Sequence, residues 1–264
     1  MTFLTRTTIS WTATIMIAAF LVAPVLLPVL MSFSERTSMN FPPVGFSLRW
    51  YAKILGDGEF LASLWLSLKL AAVVTVAAAI LGTSAALAMR RLAPRYSAPV
   101  TSVLMSPLVM PTLVTGIALL QFFNRLNTTD TFVHLVTGHV VITSPYVVRT
   151  VTASITQMAP SIEDAARTLG ASPFRCFVLV TLPQIKPGIL VGAIFAFIIS
   201  FDNYPVSMWL ADAQNMPLPL TAYRYIQRFF DPTVAAVSTV MIIISLAAVL
   251  AMERITGLKR AWSA

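Results

Sequence analysis

Apolar residues gather along the chain in six long stretches, at approximately 11–33, 61–89, 98–123, 132–155, 188–210 and 233–252. Each approaches or exceeds the ~20 residues with which a helix crosses the hydrocarbon core of a bilayer. Backbone groups in lipid must satisfy one another, so these stretches predict helices and no strands. The fourth carries His139, Ser144, Pro145 and Arg149, a polar content that predicts packing against protein. The first follows Arg6 and resembles a signal peptide, but it is too long for a typical apolar core and lacks a clear small-residue cleavage site, so it reads as a retained span. Pro24, Pro28, Pro107, Pro111, Pro145 and Pro205 fall within these stretches. Each removes a helix hydrogen bond and predicts bending where protein or a cavity re-satisfies the backbone.

Composition agrees: 57% of the 264 residues are hydrophobic and 11% charged, against roughly 45–50% and 25% in soluble domains. A water-soluble fold of this size could not hide so much apolar surface. The expected fold is an all-α integral membrane protein with six transmembrane helices. Its divisions are an N-terminal span and external loop (1–60), a transmembrane core (61–255) and a short tail (256–264). The net charge of +8 does not indicate nucleic acid, because the basic residues sit in short segments between apolar runs. With the N-terminus inside, eleven Lys and Arg lie on the inner side, including Arg90, Arg91, Arg95, Lys259 and Arg260, against seven outside. That asymmetry predicts both termini in the cytoplasm. The single cysteine, Cys176, excludes an internal disulfide and reads as a packing residue. His134 and His139 miss the i, i+4 spacing of a helical metal pair and read as polar side chains near a helix end.

Between the fourth and fifth stretches, residues 157–187 form more than a connector. Ser161 to Asp164 has the pattern of a capping box, with Pro160 before it. Ile162, Ala165, Ala166 and Leu169 then recur at the spacing of one helical face. Gly170 supplies a left-handed stop. Ser172 and Pro173 start a second short helix, with Phe174, Phe177, Val178 and Thr181 on one side. Leu182 and Pro183 are expected to end it, and Lys186, Pro187 and Gly188 to turn the chain into the fifth span. A compact knob of this kind suits docking into a groove on a partner.

Asp164, Ala165, Ala166, then Gly170, then Val180, Thr181, Leu182 and Pro183 resemble the EAA loop of binding-protein-dependent ATP-binding-cassette importer permeases: Glu-Ala-Ala, three residues, Gly, nine residues, Ile-x-Leu-Pro. Every spacing matches. Asp164 replaces the Glu, with Glu163 beside it, and Val180 replaces the Ile. The resemblance covers about 63–259. Ser200 to Asn203, and Phe230 to Thr239, resemble the spermidine/putrescine branch. Relatives in the wider group carry iron, thiamine, sulfate or opine-type cargo.

The resemblance implies that this loop is a coupling helix seated in a cleft of an ATPase. Glu163 and Asp164 would make polar contacts, Ala165 and Ala166 would permit close approach, and Gly170, Leu182 and Pro183 would complete the loop. Either acid could make the main contact. The alternatives are half of a DNA-binding helix-turn-helix, for which the loop leaves little room, and an amphipathic loop lying on the bilayer.

No Gly-Lys pair occurs, so the chain has no phosphate-binding loop, and residues 34–60 are too few for a two-lobed solute-binding domain. By resemblance, ATP and Mg belong to a separate pair of ATPase subunits, an extracytoplasmic protein captures solute, and a second, homologous permease chain completes the pathway in the bacterial inner membrane. The chain itself is expected to bind no cofactor and catalyse no reaction. Asp202 is the one acid inside a predicted span apart from Glu253 at the end of the sixth, and a carboxylate there should face a cavity or a partner. With Asn203 and Tyr204 it is the candidate lining for a cationic cargo; the competing readings are an ion pair with an arginine such as Arg149 and a role in helix packing. A secondary transporter would show internal repeats, and a membrane enzyme would show a convergent catalytic set. Neither is found.

Overall fold

The computed structural model describes residues 2–256. Lys259 and Arg260, and the tail expected beyond Thr256, lie outside them. The described residues are helical: α1 (Thr2–Met31), α2 (Arg49–Gly56), α3 (Gly58–Arg90), α4 (Pro94–Val109), α5 (Thr112–Arg125), α6 (Thr131–Thr156), α7 (Pro160–Thr168), α8 (Pro173–Cys176), a π turn (Phe177–Thr181), α9 (Leu182–Phe201), α10 (Ser207–Leu210), α11 (Leu218–Ile226) and α12 (Thr233–Thr256). Among them five helices are long and apolar enough to cross a membrane, or six if the bent pair α4 and α5 counts as one span.

The third apolar stretch is therefore not one straight helix, since α4 and α5 meet at 105°. Pro111 explains the break. A residue before proline is pushed out of the helical region, and Met110 is extended at ψ 137°, followed by Pro111 at ψ 127°. The fifth stretch also differs. Helix runs continuously from Pro173 to Phe201 and stops there rather than at Leu210. Pro145 bends nothing so sharply; it lies inside an uninterrupted α6.

Contacts divide the described chain into two compact units, residues 2–61 with 222–244, and 62–221 with 245–256. In the first, α1 exposes Trp11, Ile15, Phe20 and Leu21, as expected of a helix whose solvent is lipid. Its carboxyl end is tied down by polar groups: the Trp50 indole donates to the Ser34 carbonyl at 2.7 Å, and the hydroxyls of Ser32 and Tyr51 meet at 2.7 Å. Lys53 donates to the Tyr225 hydroxyl and to Asp231 at 2.6 and 3.1 Å, just before α12 begins.

The second unit is built on α6. Half of its most apolar window is buried, as its polar content predicted, and it packs most extensively against α9. The two approach closely because α9 presents Gly188 and Gly192 to it. A Cβ on Gly188 would stand 2.6 Å from the Thr150 carbonyl, and one on Gly192 would stand 2.8 Å from the Val147 Cα. Small residues four apart are how membrane helices bring backbones together, since lipid supplies no hydrophobic drive between them. Two apolar clusters follow, one around Val147, Val151 and Ile185, the other around Leu70, Leu135, Val206 and Leu210.

Candidate functional site

The loop 157–187 folds as two short helices, with corrections to the expected details. No capping box forms at Ser161. The extended residue before α7 is Ala159, at ψ 120°, and Pro160 takes the first helical positions, where its missing N–H costs nothing. Gly170 does end the helix, at φ +84°. Its N–H donates to the Arg167 carbonyl at 2.9 Å and that of Ala171 to Ala166 at 3.0 Å, the paired bonds of a Schellman ending that favours glycine. Ser172 then caps α8, accepting from the Arg175 N–H at 3.4 Å.

Leu182 and Pro183 do not end this second helix, and Lys186 to Gly188 do not turn the chain. The π turn carries α8 directly into α9, the Leu182 N–H reaching back to the Phe177 carbonyl. Proline has no N–H to give, and its ring presses on the carbonyl four residues back in an α-helix; one wider turn absorbs it. Leu182 and Pro183 are thus the first residues of α9, Leu182 packing on the cluster around Ile185. Thr181, at the end of the π turn, is buried, whereas Phe174 is 75% exposed.

The two acids of the loop have different surroundings. Glu163 accepts from the Arg90 guanidinium at 2.8 Å and from the Thr181 hydroxyl at 2.7 Å. The Arg90 hydrogen bond holds its carboxyl below the usual range, against the opposing pull of burial. Asp164 is exposed, as are Ala165, Ile162 and Leu169, the last at 88%, while Ala166 is half-buried. The helical face read from the spacing therefore points away from this chain's own core. A polar cleft beside it is walled by Arg90, Arg91, Glu163, Asp164 and Arg167. Neither Arg90 nor Thr181 had been read as a partner of Glu163: the first reads in sequence as a topology charge, the second as part of one side of the second short helix.

The candidate pathway residues follow α9. Its helix stops at Phe201, and the Asp202 N–H makes the closing bond to the Ile198 carbonyl at 3.1 Å. The Asp202 side chain is exposed on this chain. Ion pairs among the described residues join Lys53 to Asp231 and Arg90 to Glu163, so the expected alternative of an Asp202–Arg149 pair is not formed. Asn203 is buried, its Oδ1 accepting from the Val206 N–H at 2.9 Å. The Tyr204 hydroxyl lies 3.2 Å from the Met208 sulfur.

Behind this break sits His139, which is not near a helix end but fully buried in the middle of α6. Its two ring nitrogens lie 2.9 and 3.0 Å from the hydroxyls of Ser200 and Ser207, on α9 and α10. Ser207 in turn donates to the Asn203 carbonyl at 2.7 Å. A lone polar residue deep in an apolar stretch was the available clue, since such residues need partners. Cys176 is buried, as a packing residue should be. His134 stacks on Phe123 with ring centroids 4.0 Å apart, its Nε2 2.9 Å from the Thr128 hydroxyl. No cluster of three or more metal-ligating side chains occurs among the described residues.

Residues 78–258 match the family model described as binding-protein-dependent transport system inner membrane component. The chain is 32% identical over 230 residues to the putrescine transport system permease protein PotI of Escherichia coli strain K12, covering 84% of this chain and 82% of that one. It is 29% identical over 240 residues to the spermidine/putrescine transport system permease protein PotC of the same strain, covering 90% of each. The fold matches a bacterial ABC transporter involved in the import of the acidic polysaccharide alginate, with a TM-score of 0.73 at 14% identity over 95% of this chain and 96% of that one. Apolar helices, an EAA-type loop between the fourth and fifth apolar stretches, and a family match across most of its length converge: the chain belongs to the binding-protein-dependent transport system inner membrane components, the multi-pass, non-catalytic permease subunits of ATP-binding-cassette importers.

Proposed function

We propose that this permease carries a polyamine, of the spermidine or putrescine type, by alternating access driven by ATP and Mg on a separate pair of ATPase subunits. A second, homologous but different permease chain and an extracytoplasmic solute-binding protein complete the assembly, and both termini of this chain face the cytoplasm. The observation that carries the cargo reading is similarity to PotI and PotC over most of each chain. A permease of the same family for another small solute is the second reading. It is favoured by 30% identity over 195 residues to the molybdenum transport system permease protein ModB of Mycobacterium bovis.

In this reading Asp164, Ala165, Ala166 and the exposed Ile162 and Leu169 meet the ATPase, with Glu163, Gly170, Leu182 and Pro183 shaping the loop beneath them. The exposed apolar side chains support it, since an apolar surface flanked by charge is what a partner groove buries. Asp202 lines the pathway, where an unpaired carboxylate beside a broken helix attracts cations. Asn203 supports the break, and Tyr204 flanks it. The test is uptake of labelled spermidine and putrescine by cells with and without this gene, in a strain lacking other polyamine carriers. Loss of ATP-dependent uptake on deletion is expected; unchanged uptake would remove the polyamine cargo.

A further inference from the structure

Glu163 and Asp164 are adjacent, yet they cannot act alike. Successive residues of a helix are about 100° apart around its axis, and α7 turns Glu163 inward while Asp164 stays exposed. The Glu163 side chain is 12% exposed and that of Arg90 32%. Both named partners of the Glu163 carboxylate lie in this chain: Arg90, the last residue of α3, and Thr181, the last of the π turn. One carboxylate thus ties the loop helix to two other elements. Beneath it lies Cys176, 3% exposed, its sulfur 4.0 Å from the Glu163 carbonyl.

We propose that Glu163 is an internal latch, a positioning residue that fastens α7 to α3 through Arg90 and to α9 through Thr181, leaving Asp164 as the acid that meets the ATPase. Movement imposed on α7 by a partner is then passed to two helices together. The ion pair is charge-assisted and half-sheltered, so it is firmer than a surface pair, while Thr181 fixes the direction of the carboxylate. The π turn supplies the geometry by setting the buried Thr181 hydroxyl against Glu163. This rests on the coupling role proposed above for the loop, but the latch itself is a property of this chain and is read without knowing the cargo.

Cys176, the one cysteine in the chain, is a built-in reporter. Its rate of modification by a maleimide is measured on the full chain in membrane vesicles, alongside recovery of the ATPase with the chain from detergent extracts. Glu163→Gln and Arg90→Ala should each speed modification about fivefold or more, where a factor of ten corresponds to about 1.4 kcal/mol. Reversing the pair, Glu163→Arg with Arg90→Glu, should restore slow modification, which a merely packing role for Glu163 would not allow. Glu163→Gln should still recover the ATPase, whereas Asp164→Lys should lose it and leave Cys176 protected. Unchanged modification in Glu163→Gln, failed rescue by the reversed pair, or loss of the ATPase from Glu163→Gln would each overturn the latch. Retention of the ATPase by Asp164→Lys with fast modification in Glu163→Gln would sink the docking role alone.

Discussion

At the loop 157–187 a carboxylate, Glu163, gathers Arg90 and Thr181; at the break after α9 an imidazole, His139, gathers Ser200 and Ser207. Both devices join three segments of one compact unit where a regular helix gives way. They differ in what surrounds them. Arg90 keeps about a third of its side chain in solvent, so full charges are tolerable there. His139 and Ser207 are wholly buried, and an unpaired charge in such a place would cost several kcal/mol. Uncharged hydroxyl partners serve instead. The broken span is held by uncharged bonds sealed from solvent, the loop by an ion pair that water reaches.

The largest effect expected lies in the seam between α6 and α9. Gly192→Leu would drive a side chain into the Val147 backbone, and overpacking of that kind should cost about 3 kcal/mol, the upper end of what such changes cost. The measurement is the fraction of chain recovered as folded, monodisperse protein in detergent, which should fall severely. Near-normal recovery would show that the α6–α9 contact is looser than described.

His139→Leu comes next. It leaves the Ser200 hydroxyl without its ring partner and weakens the hold on Ser207, at about 1–3 kcal/mol for each buried group left unsatisfied. Thermal unfolding should move down by several degrees while maleimide modification of Cys176 is unchanged. If the variant instead exposes Cys176, the two fastenings are not separate.

Asp202→Asn should leave the fold intact, because the Asp202 side chain closes no ion pair among the described residues. Uptake of labelled putrescine should fall about tenfold, the factor that ~1.4 kcal/mol of lost cation attraction represents. Unchanged uptake and selectivity would take Asp202 out of the pathway.

Acid should distinguish the fastenings by a smaller amount. The Glu163 carboxyl is held below its ordinary value of 4.5, first by the Arg90 hydrogen bond, with Thr181 and the charge of Arg167 acting in the same direction. Asp164 and Arg91 are the other charged groups on the cleft wall. A group whose folded pKa is depressed contributes stability above its unfolded value and loses it as pH falls through the folded one. The melting difference between the native chain and Glu163→Gln should therefore hold steady from neutral pH to about 5 and shrink below that. Its size should be no more than about 1 kcal/mol, since Arg90 is partly solvated. A difference that grows in acid would contradict the latch.

The helices and the loop could be anticipated because each rests on a repeated physical requirement: long apolar runs for lipid, and fixed spacings for α7, Gly170 and the start of α8. What escaped depended on single residues with two permitted readings. Proline tolerates the first turn of a helix and also ends one, so Pro183 read as a stop where a π turn makes it a beginning. Pro111 marked the third stretch for bending, but an apolar run carries no record that the bend reaches 105°. Ser161 had the composition of a cap, but the cap position fell on Ala159. The partners of Glu163 and His139 lie between 18 and 73 residues away along the chain, beyond the reach of any local pattern.

The exposed face of α7 is proposed to carry the ATPase. The most direct measurement is recovery of the ATPase with the chain after Asp164→Lys, with membrane insertion of the variant monitored in the same preparation. Normal insertion with the ATPase lost is the predicted result. An intact complex recovered from the variant would contradict it.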